Sequence, residues 1–162
     1  MINRTYNGKI KVLFHVKHIF EINIDTCEVL NEEKSYKKYV KTINEFKNHP
    51  LLIGWYINDE MPECFIEHIR NRTLIIHELD PDHPAIIVTN KRNSQPFANT
   101  TDVFGEDCYP IKYKNRTDSV KCYDVHNDAY NGLLKSKPIW PVPQIFDWSG
   151  VTNHGATRPP TL

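Results

Sequence analysis

Three polar residues, Asn58, Asp59 and Glu60, end an apolar stretch at residues 51–57 whose sequence is LLIGWYI. A continuous apolar run of this length is typical of a strand buried on both faces, as in a parallel sheet. Parallel α/β proteins place their chemistry at the carboxyl ends of the strands, so Asp59 and Glu60 are candidate site residues. Aromatic neighbours disfavour the charged form of a carboxyl group and raise its pKa, which suits Glu60 to the role of general acid.

Each of these residues also has a purely structural interpretation. Glu60 could be a solvated carboxylate at the N-terminus of a helix that begins near Pro62, where the helix dipole favours negative charge. Asp59 could cap the same helix. Of Trp55 and Tyr56, we expect one to lie on the face of the sheet that would line a barrel and the other on the face covered by helices. Core packing explains either ring alone.

The elements that position these residues alternate between strand and helix. Apolar residues at three- and four-residue spacing predict the first two helices, with inward faces of Tyr36, Tyr39, Val40, Ile43 and Phe46, and of Phe65, Ile66, Ile69, Leu74 and Ile76. Strands are predicted at 10–15, 51–57, 85–89, 102–104 and 139–146, and helices at 31–48, 63–79 and 119–134, the last capped by Asp118. Pro141 and Pro143 weaken the last strand, because proline cannot donate to a ladder.

The alternation predicts right-handed βαβ units and parallel strands. A complete TIM (β/α)8 barrel has about 250 residues, or roughly 31 for each βα unit. The 162 residues of this chain therefore supply about five units, which agrees with the predicted strands. The fold class is α/β, and two architectures stay open: a small open sheet, or a partial TIM barrel of about five βα units with parallel strands.

Composition excludes several classes of partner. The 20 Lys+Arg and 20 Asp+Glu residues balance, which gives no electrostatic reason to expect nucleic acid or an anionic membrane. We expect no membrane span and no signal peptide in this chain, because its apolar runs are short. The spacing of His15 and His18 fits no metal pair, so no metal site is expected there. No cofactor is implied by the sequence.

Cysteines and glycosylation sequons bear on the compartment. Cys27, Cys64, Cys108 and Cys122 form no C-x-x-C pair, and buried free thiols are the favoured interpretation, although a Cys108–Cys122 bridge is conceivable. Four N-x-[ST] sequons modestly favour a secretory origin for a longer parent protein, while the localisation of the chain stays unknown. They begin at Asn3, Asn71, Asn99 and Asn115.

Several stretches, in order, resemble one large family. LLIGWYINDEMP, preceded by FKNHP, looks like the fourth-strand signature of the clan of retaining (β/α)8-barrel glycoside hydrolases. HELDPDHPAIIVTN, TDVFGEDCYPI and KPIWPVPQIFDW resemble the passages through the fifth, sixth and seventh strands. The resemblance covers about residues 9–148 and implies a single incomplete glycosidase-like barrel domain over 1–162.

The resemblance implies roles for individual residues. Glu60 matches the general acid/base, and Asp59 matches an Asn that hydrogen-bonds the sugar, although an aspartate can accept that bond but cannot donate one. Asp107 and Tyr109 fall where the clan places substrate-binding side chains, or could form a turn before the next proline. Trp148 could stack on a sugar ring or pack at the rim.

One position departs from the clan. Gln144 lies near the place of the nucleophilic glutamate, and an amide cannot form the glycosyl ester as a carboxylate does. Asp147 is the only acid nearby, and its reach is shorter.

The sequence therefore predicts a glycoside hydrolase-like barrel fragment whose parent reaction is hydrolysis of O-glycosidic bonds, with Glu60 as acid/base. The alternative is a catalytically inactive barrel fragment or carbohydrate-binding remnant that lacks the nucleophile. A third and weaker alternative is a small open α/β domain of unrelated function. The expected ligand is a carbohydrate, and exposed barrel edges could pair with another copy of the chain.

Overall fold

The computed structural model describes residues 10–89, 94–109, 119–132 and 136–143. These residues contain three α-helices: α1 (Glu32–Phe46), α2 (Ile66–Leu79) and α3 (Ser119–Gly132). They also contain the strands β1 (Val12–His15), β2 (Glu21–Asn23), β3 (Glu28–Leu30), β4 (Leu52–Asp59), β5 (Ala85–Thr89), β6 (Val103–Asp107) and β7 (Ile139–Val142).

Five of the strands form one parallel sheet in the order β1-β4-β5-β6-β7. The pairing of β1 with β4 aligns His15 with Tyr56, and the pairing of β6 with β7 aligns Asp107 with Val142. The α/β class and the five parallel strands predicted from the sequence are confirmed. In the described part of the chain the sheet does not close into a barrel.

The strand β4 carries large buried side chains. Its Trp55 and Ile57 are fully buried, as the apolar run predicts, and Trp55 Nε1 donates to the buried Asp80 carboxylate at 2.8 Å. The Phe14 ring of β1 stacks on Phe46 of α1 at 4.6 Å and contacts Trp55 at 5.7 Å. The strand extends two residues beyond its predicted end, to Asp59.

Two predictions about helix faces are wrong. In α1 the buried side chains are Ser35, Tyr39 and Ile43, at four-residue spacing, and Tyr36 is 47% exposed because it lies to one side of that stripe. In α2, Leu74 is 56% exposed. The buried positions of α2 are instead Ile69, Arg72, Thr73 and Ile76.

Gly54 permits β4 to approach the chain that leads into β5. A Cβ atom built at Gly54 would lie 2.9 Å from the Pro84 carbonyl oxygen and 3.0 Å from Ile86 Cδ1. Trp55 N–H donates to the same Pro84 oxygen at 2.9 Å. A side chain at position 54 would therefore push two hydrogen-bonded segments apart.

The chain divides into two compact units, one comprising the described residues up to Ile87 with Asn99–Val103, and the other the remainder. The second unit packs β6 against β7 and buries Phe97, Phe104 and Ala129. Pro141 lies in β7, which is last in the sheet order of the described residues, and an edge strand tolerates proline because one of its sides makes no ladder bonds.

The prediction of free thiols is wrong. Cys27, in the turn of the β2–β3 hairpin, is bonded to Cys64, and Cys108, after β6, is bonded to Cys122 of α3. The Cα–Cα distances of 6.0 and 5.3 Å lie within the range that a disulfide spans. Residues distant in sequence meet here, which spacing alone does not reveal.

The described helices include none with the length and apolar character needed to cross a bilayer. The predicted cap Asp118 lies outside the described residues.

Candidate functional site

Glu60 directly follows β4 at its carboxyl end, as the sequence predicts. Its backbone has φ 51°, in the left-handed region that side-chain-bearing residues rarely adopt. Such strained positions cluster at functional sites, where the surrounding structure holds them. Glu60 is exposed, so the apolar surround expected from its aromatic neighbours is not found at this residue.

The Asp59 carboxylate is held by a lysine from the neighbouring strand end. Lys17 begins a short 3₁₀ turn (Lys17–Ile19) after β1, and its Nζ donates to Asp59 Oδ2. The two side chains are 20% and 36% exposed. The turn that follows, capped by Pro62, receives no side-chain hydrogen bond at its cap. Asp59 therefore serves as the partner of Lys17 and not as the helix cap that was the alternative.

An aromatic ring lies under this ion pair. Lys17 Nζ is 5.1 Å from the centroid of the Tyr56 ring, which suits a cation–π contact. Trp55 is turned to the opposite side, toward Asp80. The two adjacent rings thus face opposite ways, as expected of a strand.

Two histidines complete the surroundings of the pair. The rings of His15 and His18 meet edge to face at 4.6 Å, and His15 lies 5.6 Å from Tyr56. Partial burial of the ring lowers the pKa of His15, and the nearby charges of His18 and Lys17 lower it further, against an opposing effect of Asp59. These effects together favour the neutral form of the His15 imidazole. Within the described residues no group of His, Cys, Asp and Glu is arranged to hold a metal ion.

Arg72 supports β4 from the helix side, close to the candidate site. Its Nη1 donates to the Ile57 carbonyl at 2.9 Å, and its Nε donates to His68 Nε2 at 2.7 Å. The guanidinium also lies 4.2 Å above the Phe20 ring. Burial lowers the pKa of Arg72 to about 10. The strand backbone three residues before Glu60 is therefore fixed by a buried cation.

A second set of predicted site residues lies in the other compact unit. Asp107 ends β6 and is 6% exposed, beside Glu106 at 1%. Tyr109 follows Cys108, which the disulfide ties to Cys122 of α3. The Asp107 Oδ1 atom is buried and makes no hydrogen bond within the described residues.

The remaining predicted residues, Gln144 and Trp148, lie outside the described residues, as does Asp147. Within the first unit, Asp59 and Glu60 lie together as adjacent residues. Asp107 and Tyr109 belong to the second unit.

Lys17 and Arg72 are the residues that reasoning from the sequence missed. Lys17 follows a predicted strand by two positions, and only the register of β1 on β4 brings it to Asp59. Arg72 occupies the buried stripe of α2, where a charged residue is not expected. Its spacing from Ile69 and Ile76 is the one signal that could have indicated burial.

No protein-family model matches the chain, and no curated protein matches it. Among solved structures, the chain is similar to a GH2 beta-galacturonidase from Eisenbergiella tayi bound to galacturonate, with 19% identity and a TM-score of 0.57. That match covers 70% of this chain and 21% of the other. The chain is also similar to a beta-glucuronidase from Parabacteroides merdae, with 14% identity and a TM-score of 0.52, over 70% of this chain and 15% of the other.

The chain thus spans about a fifth of the length of the Eisenbergiella structure and less of the Parabacteroides one. Likeness at these identities establishes a shared fold over the matched part.

Proposed function

We propose that the chain is a glycoside hydrolase-like barrel fragment and that the parent reaction is hydrolysis of O-glycosidic bonds, with Glu60 as general acid/base. One observation carries the proposal: an exposed, conformationally strained glutamate directly follows β4, at the carboxyl end of a strand in a fold shared with two glycoside hydrolases. The strand order and parallel pairing support a partial TIM barrel, which belongs to the same proposal.

In this reaction Glu60 protonates the leaving glycosidic oxygen and then removes a proton from the incoming water. A retaining mechanism requires a second carboxyl group roughly 5–5.5 Å away as nucleophile. Asp147 is the candidate for that role and Gln144 the competing occupant of the position. If Asp147 does not lie at this distance from Glu60, the chain lacks a nucleophile. It is then the catalytically inactive fragment or carbohydrate-binding remnant that the sequence leaves open.

The ligand in this proposal is a carbohydrate, contacted by Asp59, Asp107, Tyr109, Gln144 and Trp148. The short strand β1 is first in the sheet order, so one edge of it has no strand partner in the described residues. Pairing of this edge with a second copy of the chain is part of the proposal.

The proposal is tested by hydrolysis of methyl β-D-galacturonide and methyl β-D-glucuronide, because the similar structures are enzymes named for those sugars. We expect wild-type turnover and a loss of at least about 10²-fold in Glu60→Gln, which keeps the shape of the side chain but cannot transfer the proton.

Glu63→Gln is the matched control, since Glu63 is an exposed acid three residues further on, in the turn before α2. Unchanged turnover in Glu60→Gln would contradict the acid/base assignment. Sugar binding without turnover in the wild type would favour the carbohydrate-binding remnant.

A further inference from the structure

The ion pair of Lys17 and Asp59 is accessible and directly precedes Glu60 in the chain. Lys17 Nζ donates to Asp59 Oδ2, with side chains that are one-fifth and about one-third exposed. Both residues lie in the same compact unit and are positioned by the parallel pairing of β1 with β4. The register of the two strands therefore brings the backbones that carry the pair to the same end of the sheet.

The pair keeps hydrogen-bonding capacity on both sides. An ammonium group carries several N–H donors and a carboxylate several acceptor sites. Within the described residues the Lys17 ammonium has one hydrogen bond, to Asp59 Oδ2, and its other contact is the Tyr56 ring face. The remaining Lys17 N–H groups and Asp59 Oδ1 are thus directed to nothing else in that part of the chain.

The opposite charges of Lys17 and Asp59 compensate each other within the pair. A pair without net charge that offers a donor next to an acceptor suits uncharged hydroxyl groups, each of which both donates and accepts. An isolated aspartate would offer acceptors alone.

We propose that Lys17 and Asp59 act as one unit that binds neighbouring hydroxyl groups of a sugar beside Glu60, with Lys17 donating and Asp59 accepting. This inference rests on the proposed function and adds to it a binding residue, Lys17, from outside the strand that carries Glu60. An asparagine at position 59 would contain its own N–H donor. Because residue 59 is an aspartate, Lys17 supplies the donor instead.

The experiment is a double-mutant cycle that measures binding of methyl β-D-glucuronide by NMR titration of the full chain. Lys17→Met removes the donor, and we expect binding to weaken by about tenfold or more, the usual effect of losing a charged hydrogen bond. Lys17→Arg retains donors and charge and should restore most of the affinity. In the Asp59→Asn background the amide supplies its own N–H, so Lys17→Met should weaken binding by no more than about twofold.

Lys37→Met is the matched control, because Lys37 is likewise ion-paired, with Glu33 on the exposed face of α1. An equal loss from Lys17→Met in both backgrounds would overturn the inference, since Lys17 would then act independently of Asp59, as in binding the sugar carboxylate. Unchanged affinity in Lys17→Met would also overturn it while leaving the proposed function intact. If the wild type neither binds nor hydrolyses the uronides, both are overturned.

Discussion

At the scale of single residues, the carboxyl end of β4 carries Asp59, whose carboxylate accepts a hydrogen bond from Lys17, and Glu60 follows directly. Asp59 and Glu60 stand out because polar residues end an apolar run, and both lie at the strand end. Lys17 could not be predicted, because its contact with Asp59 depends on how two strands align. The exposure of Glu60 was also not predictable, because the residues that surround a strand end come from other segments.

A half-buried histidine, His68, gives a prediction for the pH dependence of stability. Burial, followed by the charge of Arg72, lowers the pKa of His68 to about 4, compared with about 6.5 when unfolded. Between these values the unfolded chain binds more protons than the folded chain, so the free energy of unfolding falls as pH decreases from about 6.5 to about 4.

His68→Gln should flatten this part of the profile, because glutamine can still accept the Arg72 Nε hydrogen bond but does not titrate. Urea unfolding at a series of pH values measures the effect. A profile with the same slope in the variant as in the wild type would contradict this account of His68.

At the scale of elements, periodic segments and apolar runs are predictable, whereas the β2–β3 hairpin is not. The helices α1 and α2 and the strands β4 and β5 agree with the sequence to within a few residues. The β2–β3 hairpin was missed because its strands have three residues each and no extended apolar alternation. The predicted inward faces of the helices are wrong at Tyr36 and Leu74, because each of these residues flanks the buried stripe and is exposed.

The close approach of Gly54 to the Pro84 carbonyl group can be tested by substitution of the glycine. Gly54→Ala should lower the free energy of unfolding by about 1–3 kcal/mol, because the new methyl group would contact backbone at Pro84 that is hydrogen-bonded and cannot yield easily. Urea unfolding measures the loss.

Gly132→Ala provides the control, since its added Cβ would lie 3.6 Å from its nearest neighbours, at ordinary contact distance. Equal stability of the two variants would show that β4 does not need glycine at position 54.

At the scale of the whole molecule, covalent cross-links hold together what the sequence presents as separate segments. The Cys27–Cys64 bond joins residues 37 apart and ties the β2–β3 hairpin to the turn that follows Glu60. The Cys108–Cys122 bond joins residues 14 apart and ties the segment after β6 to α3. Bonds of this kind form and persist in oxidising environments.

The Cys27–Cys64 bond closes the longer of the two loops, so its removal should destabilise the folded chain. Replacing Cys27 and Cys64 together by serine should lower the free energy of unfolding by about 2–4 kcal/mol, because the unfolded chain regains the freedom of the closed loop. Thermal unfolding with and without a dithiol reductant checks this expectation. A wild type whose unfolding is insensitive to the reductant, or free thiols detected by alkylation, would contradict the assignment.

We propose that Glu60 is the proton donor to the leaving group. The most direct test compares hydrolysis of two β-glucuronides that differ only in that leaving group. A methoxide leaving group requires protonation far more than a 4-nitrophenolate does. We predict that Glu60→Gln slows hydrolysis of the methyl glycoside by at least about 10²-fold and that of the 4-nitrophenyl glycoside by much less. Equal slowing of both substrates, or no slowing of either, would contradict the claim.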